Sequence, residues 1–169
     1  MRPLLIKVSI ADQRLLLLQG ERARMDCRVA TARNGPGEQY GSECTPRGKH
    51  LIRARIGAGC PPNTVFVGRR ASGECYTADL RHRHPTRDWI LTRILWLSGL
   101  EVGRNRLGNV DTMRRHIYIH GSPDDDPMGV PSSHGCIKMR NSDVIELFDR
   151  VPVGTHVTIQ EASFFGDAD

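Results

Sequence analysis

The sequence predicts a mainly β protein with one or two short helices, and two observations support this prediction. Short apolar runs bounded by turn residues follow one another through much of the chain, beginning with residues 4–10 and 14–19. Only residues 141–151 combine a capping residue with apolar side chains at clear helical spacing. The 169 residues are enough for one domain with its own core, and no internal repeat or domain boundary divides them.

The first elements form a predicted β-meander over residues 4–31. LLIKVSI leads into a turn at residues 11–13, RLLLLQ returns, and a second turn at Gly20 precedes RMDCRVATA. A loop follows at residues 34–50, because four glycines and two prolines fall within those 17 residues.

The central third alternates short strands with turns. Residues 51–56 alternate in the way of a half-buried strand, and a second short strand at residues 65–68 follows a turn. Residues 71–87 are polar and irregular, so we expect no regular element there. For residues 89–97 the periodicity fits a helix or a strand, and β-branched and aromatic residues at every second position favour a strand.

The C-terminal third is predicted as strand, loop, helix and strand. A strand at residues 114–121 places His116, Tyr118 and His120 on one face. A loop leads to the helix, which Asn141 or Ser142 is expected to cap. The last elements are a strand at residues 153–159 and a tail, from about residue 160, that we expect to be flexible. The prediction is therefore a single domain over residues 1–169.

Composition excludes some functions and leaves others open. The formal charge of +5 and the pI near 9.2 suit an anionic ligand, or simply favour solubility. Only 5% of the residues are aromatic, which argues against a nucleic-acid partner, and no apolar run is long enough for membrane insertion. We recognise no signal peptide and expect a cytoplasmic protein, or a periplasmic one if an export segment has been removed.

Five cysteines are present, and no two of them have the spacing of a redox or metal motif. Without an export signal, we expect free thiols, and a disulfide stays open if the protein is exported. The four cysteines for which we expect a packing role are Cys27, Cys44, Cys60 and Cys75.

Cys136 differs from the other cysteines because the stretch HGSPDDDPMGVPSSHGC, residues 120–136, surrounds it with catalytic side-chain types. Gly135 permits a tight backbone whose N–H groups converge on one point and stabilise a thiolate or an oxyanion. Lys138 and Arg140 add positive charge, which is expected to lower the pKa of the thiol. His120 ends a strand and is the candidate base.

The order of these motifs resembles the L,D-transpeptidase catalytic domain of the YkuD family. That family's signature is a histidine, a loop and [S/T]-H-G-C, here His120 and residues 133–136, followed by IKMRN and a helix. Upstream, TPRG at residues 45–48 is similar to the family's T-P-x-G segment. The resemblance covers nearly the whole chain and implies a β-sandwich-like catalytic domain.

The resemblance also implies roles for individual residues. Cys136 would be the nucleophile and His120 the general base, oriented by the carbonyl of Gly121. His134 would support the nucleophile loop, and the backbone N–H groups of His134, Gly135 and Cys136 would form the oxyanion hole. No cofactor or metal is implied.

The implied substrate is a peptidoglycan tetrapeptide stem or muropeptide, cleaved between its diamino acid and its terminal D-Ala through a thioester on Cys136. The family's usual arginine two residues after the cysteine is Lys138 here, so Arg140 is expected to share the binding of the substrate carboxylate. Other candidate substrate-binding residues are Ser133, Tyr40 and Arg47.

What accepts the acyl group is not fixed by the motif. Water would give an L,D-carboxypeptidase for muropeptide recycling, which the missing export signal favours, and an amine from a second stem would give a transpeptidase forming 3-3 crosslinks. Two other classes stay open: a zinc hydrolase using His116, His120 and Cys136, and a non-catalytic wall-binding module. The sequence does not indicate an oligomeric state.

Overall fold

The computed structural model describes residues 2–166, in which ten strands and two helices form, and the mainly β prediction is confirmed. The helices are α1 (Ala78–Arg83) and α2 (Asn141–Arg150), and a short 3-10 turn lies at Gly108–Val110. The strands are β1 (Leu4–Ser9), β2 (Arg14–Gln19), β3 (Arg22–Arg28), β4 (Gly48–Ile56), β5 (Thr64–Val67), β6 (Arg70–Cys75), β7 (Ile90–Gly99), β8 (Tyr118–Ser122), β9 (Ile137–Arg140) and β10 (His156–Gln160).

All ten strands belong to one curled sheet. Its order is β3-β2-β1-β10-β4-β7-β5-β6, and β8 branches from β7 and pairs in parallel with β9. The predicted meander is present as the antiparallel β1–β2–β3, and β10 closes onto β1 in parallel. The sheet curls around α2, whose Val144, Leu147 and Phe148 are buried in the main core. This packing places β8 and β9, which flank the predicted catalytic motif, on a rigid support.

The stretch predicted to be irregular, residues 71–87, contains β6 and α1. Strand β6 is almost entirely exposed, so it has no hydrophobic pattern and is held by its backbone pairing with β5. Helix α1 is six residues long, is capped by Thr77 and buries only Leu80. Elements this short carry too few apolar residues to produce a periodic signal.

Two local predictions near the motif are wrong. The strand predicted at residues 114–121 begins only at Tyr118, and His116 has a φ of 56° that interrupts the extended backbone. Neither Asn141 nor Ser142 caps α2, because the N-cap position is Arg140, without a side-chain bond, and Asn141 binds other groups.

Hydrogen bonds connect the segment that follows β10 to the turn between β1 and β2. The hydroxyl of Ser163 and the N–H of Phe164 donate to the Asp12 carboxylate at 3.1 and 2.8 Å. Residues 167–169 of the predicted tail lie outside the described residues. Within residues 2–166, no helix has the length and apolar character needed to cross a bilayer.

Candidate active site

The predicted nucleophile and base lie on neighbouring elements and line the same cleft. His120 is in β8, and Cys136 immediately precedes β9, which pairs in parallel with β8. Both side chains contribute to a cleft of about 370 Å³, whose apolar wall includes Phe66, Ile90 and Ile94.

His120 is held in one tautomer by the backbone. Its side chain is 1% exposed, and its Nδ1 lies 2.6 Å from the carbonyl oxygen of Gly121. A carbonyl oxygen only accepts hydrogen bonds, so Nδ1 carries the proton and Nε2 keeps its lone pair. Burial lowers the pKa of His120 below its ordinary value, so the ring is neutral at neutral pH and able to act as a base.

The carbonyl that orients His120 belongs to a glycine that has no room for a side chain. A Cβ on Gly121 would lie 2.4 Å from Asn141 Oδ1 and 2.6 Å from the Leu91 carbonyl oxygen. Opposite it, β7 inserts two residues in a bulge between Leu91 and Ile94. Thr92, in that bulge, is buried with a φ of 76°, and its hydroxyl donates to Asn141 Oδ1 at 2.5 Å.

Gly121→Ala is therefore expected to displace the carbonyl that orients His120. We predict a fall in kcat/KM of about 10–100-fold, because a small misplacement of a catalytic group costs that much. The variant should still fold, which its thermal unfolding transition checks. Gly154→Ala is the control for strain outside the cleft: Gly154 is exposed and its φ of 91° disfavours a side chain, so this variant should lose thermal stability while kcat/KM stays unchanged. Unchanged kcat/KM in Gly121→Ala would show that this carbonyl does not fix the base.

The thiol of Cys136 is protonated in this environment. Its Sγ donates to the carbonyl oxygen of His116 at 3.4 Å and accepts from the N–H of Tyr118 at 3.3 Å. Burial raises the pKa of Cys136 to about 12, an effect that the Tyr118 N–H opposes. The expectation of a lowered pKa is wrong, so the attacking thiolate requires a base that removes the proton.

The side chains of the two cations expected to lower that pKa interact with groups other than Cys136. Lys138 Nζ lies 3.4 Å from Asp126 Oδ2 and 3.2 Å from Ser132 Oγ, with a side chain that is largely buried. Arg140 acts electrostatically on Cys27 and Asp143, and neither Lys138 nor Arg140 lines the cleft. Neither is placed to bind a substrate carboxylate in that cleft.

Hydrogen bonds within the S-H-G-C loop fix its shape. The hydroxyl of Ser133 donates to the Cys136 carbonyl at 2.5 Å and accepts from the N–H of Gly135 at 3.2 Å. Thr45 Oγ1 donates to the Gly135 carbonyl at 2.9 Å, across 90 residues of chain. Ser133 therefore supports the loop, and its hydroxyl is already engaged rather than available to a substrate.

The same bonds reduce the number of N–H donors that the predicted oxyanion hole can offer. The N–H of Gly135 is committed to Ser133, whereas the N–H groups of His134 and Cys136 have no acceptor among residues 2–166. Two donors, not three, are thus available to a developing oxyanion. The His134 side chain is 60% exposed, with its Nδ1 3.8 Å from Asp88 Oδ2, and lies at the cleft rather than beneath the loop.

The two candidates from the glycine-rich loop have different positions. Arg47 donates to Glu38 and Glu161 at 3.0 Å each, away from the cleft. Tyr40 is 66% exposed and lines a shallow space of about 210 Å³ that adjoins the cleft through His116 and His134.

Sequence reasoning missed three charged residues that line the cleft, which are Arg69, Asp88 and Arg115. Arg115 donates to the Cys44 carbonyl at 2.6 Å and so holds the glycine-rich loop of residues 34–50 next to Thr45. Arg69 and Asp88 lie far from the motif in sequence, in segments without a periodic signal, so only the folded chain brings them to Cys136. Across the described part of the chain, no three His, Cys, Asp or Glu side chains group as a metal site.

The comparisons with known proteins fit this geometry. The sequence model of the YkuD L,D-transpeptidase catalytic domain matches residues 3–159. This chain belongs to the YkuD family. The YkuD protein of Bacillus subtilis is 50% identical over 46 residues, which are 27% of this chain and 28% of that protein. The ErfK/SrfK protein of Salmonella typhimurium is 51% identical over 45 residues, covering 27% of this chain and 15% of the relative.

Solved structures show that the YkuD-type fold extends over almost the whole chain. The L,D-transpeptidase from Mycobacterium smegmatis is 14% identical, with a TM-score of 0.55. The superposed region covers 93% of this chain and 58% of the Mycobacterium smegmatis chain. L,D-transpeptidase 3 from Mycobacterium tuberculosis, in complex with a faropenem-derived adduct, is 15% identical, with a TM-score of 0.55. The superposed region covers 94% of this chain and 60% of the Mycobacterium tuberculosis chain. This YkuD-family chain therefore shares their fold and spans only part of the length of these relatives.

Proposed function

We propose that this chain is a cysteine acyl-transfer enzyme that cleaves the bond between the diamino acid and the terminal D-Ala of peptidoglycan tetrapeptide stems. The observation that carries the proposal is the Cys136–His120 pair: a protonated thiol and a neutral imidazole, locked in its basic tautomer, line one cleft. Membership of the YkuD family supports the substrate class.

The first half of the reaction forms a thioester. As Cys136 Sγ attacks the carbonyl carbon of the diamino acid, His120 Nε2 takes the thiol proton. The tetrahedral oxyanion accepts from the N–H groups of His134 and Cys136. When the intermediate collapses, the C–N bond breaks, and His120 returns its proton to the amine of the departing D-Ala.

The second half transfers the acyl group to water, and we propose that water is the main acceptor. His120 removes a proton from water as the oxygen attacks the thioester, and the Cys136 thiol leaves with a proton from His120. The cleft of about 370 Å³ is in the range of a small-ligand site, whereas the adjoining space of about 210 Å³ is below the roughly 300 Å³ at which such sites begin. This difference supports a small acceptor such as water, and hydrolysis of free stems is the reaction that muropeptide recycling would require.

A disaccharide tetrapeptide tests the acceptor directly. We expect mass spectrometry to find the tripeptide and free D-Ala as the main products, with one oxygen from labelled water in the new carboxylate. Adding a second stem as amine acceptor should leave the tripeptide dominant. A crosslinked dimer as main product would overturn the water assignment.

A further inference from the structure

Asp88 places an uncompensated negative charge on the wall of the catalytic cleft. Its neighbour Trp89 is 5% exposed and packs with Val65, Leu80 and Leu91, so the backbone at Asp88 is anchored. The adjacent Arg87 turns away to Glu74, at 3.0 Å. In the part of the chain that the structure describes, no lysine or arginine lies within ion-pair distance of Asp88, and only the His134 ring approaches it, at 3.8 Å.

Arg69 places a positive charge on the same cleft. It occupies the second position of the two-residue turn between β5 and β6, where its φ is 66° and that of Gly68 is 55°. Such turns favour glycine or asparagine, because both central residues have a positive φ. The turn fixes the backbone at Gly68 and Arg69, both of which line the cleft.

The contacts of Arg69 hold its guanidinium at the cleft without neutralising it. Its Nη1 donates to the Tyr118 hydroxyl at 3.0 Å, and its guanidinium carbon lies 4.6 Å from the centre of the Trp96 ring. No carboxylate within residues 2–166 forms an ion pair with Arg69. The guanidinium therefore keeps donors for a ligand anion.

We propose that Asp88 and Arg69 select stems whose diamino acid side chain ends in both an ammonium and a carboxylate group. The proposal rests on the function proposed above, because the side chain next to the attacked carbonyl must lie beside Cys136. Asp88 accepts from the ammonium group, Arg69 donates to the carboxylate, and Ile90 and Ile94 contact the methylenes between them. A charged group at each end makes the cleft complementary to a zwitterion and unfavourable for a singly charged side chain.

Three tetrapeptides that differ only at the diamino acid test this selection. The first has both charged groups, the second has its side-chain carboxylate converted to an amide, and the third has its side-chain ammonium acetylated. We expect the unmodified protein to cleave the first with a kcat/KM about tenfold above either of the others, the size of one charge-assisted hydrogen bond.

Two variants test which substrate group each charged side chain binds. Arg69→Gln should remove the preference for the first tetrapeptide over the amide, with the larger loss of kcat/KM on the first. Asp88→Asn should remove the preference for the first tetrapeptide over the acetylated one, with the larger loss of kcat/KM on the first; because the charge of Asp88 also raises the pKa of His120 and Cys136, the ratio of the two kcat/KM values is the readout. Arg70→Gln and Asp149→Asn, which change exposed charges outside the cleft, should keep the original preferences.

Equal losses on all three tetrapeptides would overturn the proposal. In Arg69→Gln they would mean that Arg69 binds the D-Ala carboxylate or only supports Tyr118. In Asp88→Asn they would mean that Asp88 acts only through His134, and His134→Gln would then reproduce them.

Binding measurements on a variant without the nucleophile distinguish substrate selection from catalysis. Calorimetry with Cys136→Ala and the three corresponding tripeptides should give the same order of affinity. The same order without any cleavage by the unmodified protein would refute the proposed reaction and keep the selection. Cleavage of all three at equal rates would refute the selection and keep the reaction.

Discussion

Cys136→Ala is expected to lower kcat/KM for tetrapeptide cleavage by about 10⁴-fold or more, with the fold intact. The side chain is the only group in the cleft placed to form the thioester, and its Sγ bonds only to backbone groups, of Tyr118 and His116. Its removal therefore eliminates the covalent route and breaks no side-chain network. Intact-protein mass spectrometry should find an acyl adduct in the unmodified protein and none in the variant.

The controls for Cys136→Ala separate the rival classes. Cys75→Ser removes an exposed thiol and should leave kcat/KM unchanged. A chelator should leave the activity intact while a thiol alkylator abolishes it, and the reverse result would indicate the zinc hydrolase. Cys136→Ala with full activity in the cell would identify a non-catalytic wall-binding module.

The fold was predictable wherever side-chain pattern determines structure. The meander and α2 bury apolar side chains at regular spacing, and their predicted positions agree with β1–β3 and α2 to within a few residues. Strand β6 and helix α1 were not predictable, because pairing with β5 and the Thr77 cap define them rather than apolar burial. Backbone hydrogen bonds leave little trace in composition.

The centre of the site was predictable because its residues are close in sequence, in the segment from His120 to Cys136. The rest depends on contacts between distant segments. Thr45 holds the nucleophile loop from 90 residues away, and Asp88 and Arg69 reach the cleft only through the packing of Trp89 and the β5–β6 turn. No local pattern encodes such distances.

The ionisation of the thiol shows the same limit in electrostatic terms. Lys138 and Arg140 follow Cys136 closely in sequence, which suggested a lowered pKa. In the folded chain Lys138 pairs with Asp126, and burial of Cys136 outweighs the remaining charges, so its pKa rises to about 12. Charge counts in sequence do not include the cost of desolvation.

His120→Ala is expected to lower kcat/KM by about 10²–10⁴-fold, the usual contribution of a general acid–base group. With the Cys136 pKa near 12, almost no thiolate exists at neutral pH, so the attack depends on His120. The double variant His120→Ala, Cys136→Ala should be no slower than Cys136→Ala alone, because the two groups act as a unit. His82→Ala, an exposed histidine of α1, is the matched control.

The pH profile distinguishes a lost base from a damaged fold. Protonated His120 cannot accept the thiol proton, so kcat/KM of the unmodified protein should rise with pH through the His120 pKa and then level off. Burial lowers that pKa, so the midpoint should lie below the ordinary value of 6.5. In His120→Ala this acid limb should disappear, and the residual rate should increase with pH as hydroxide removes the thiol proton. An acid limb that persists unchanged in His120→Ala would assign the base to another residue, and the other two histidines that line the cleft are His116 and His134.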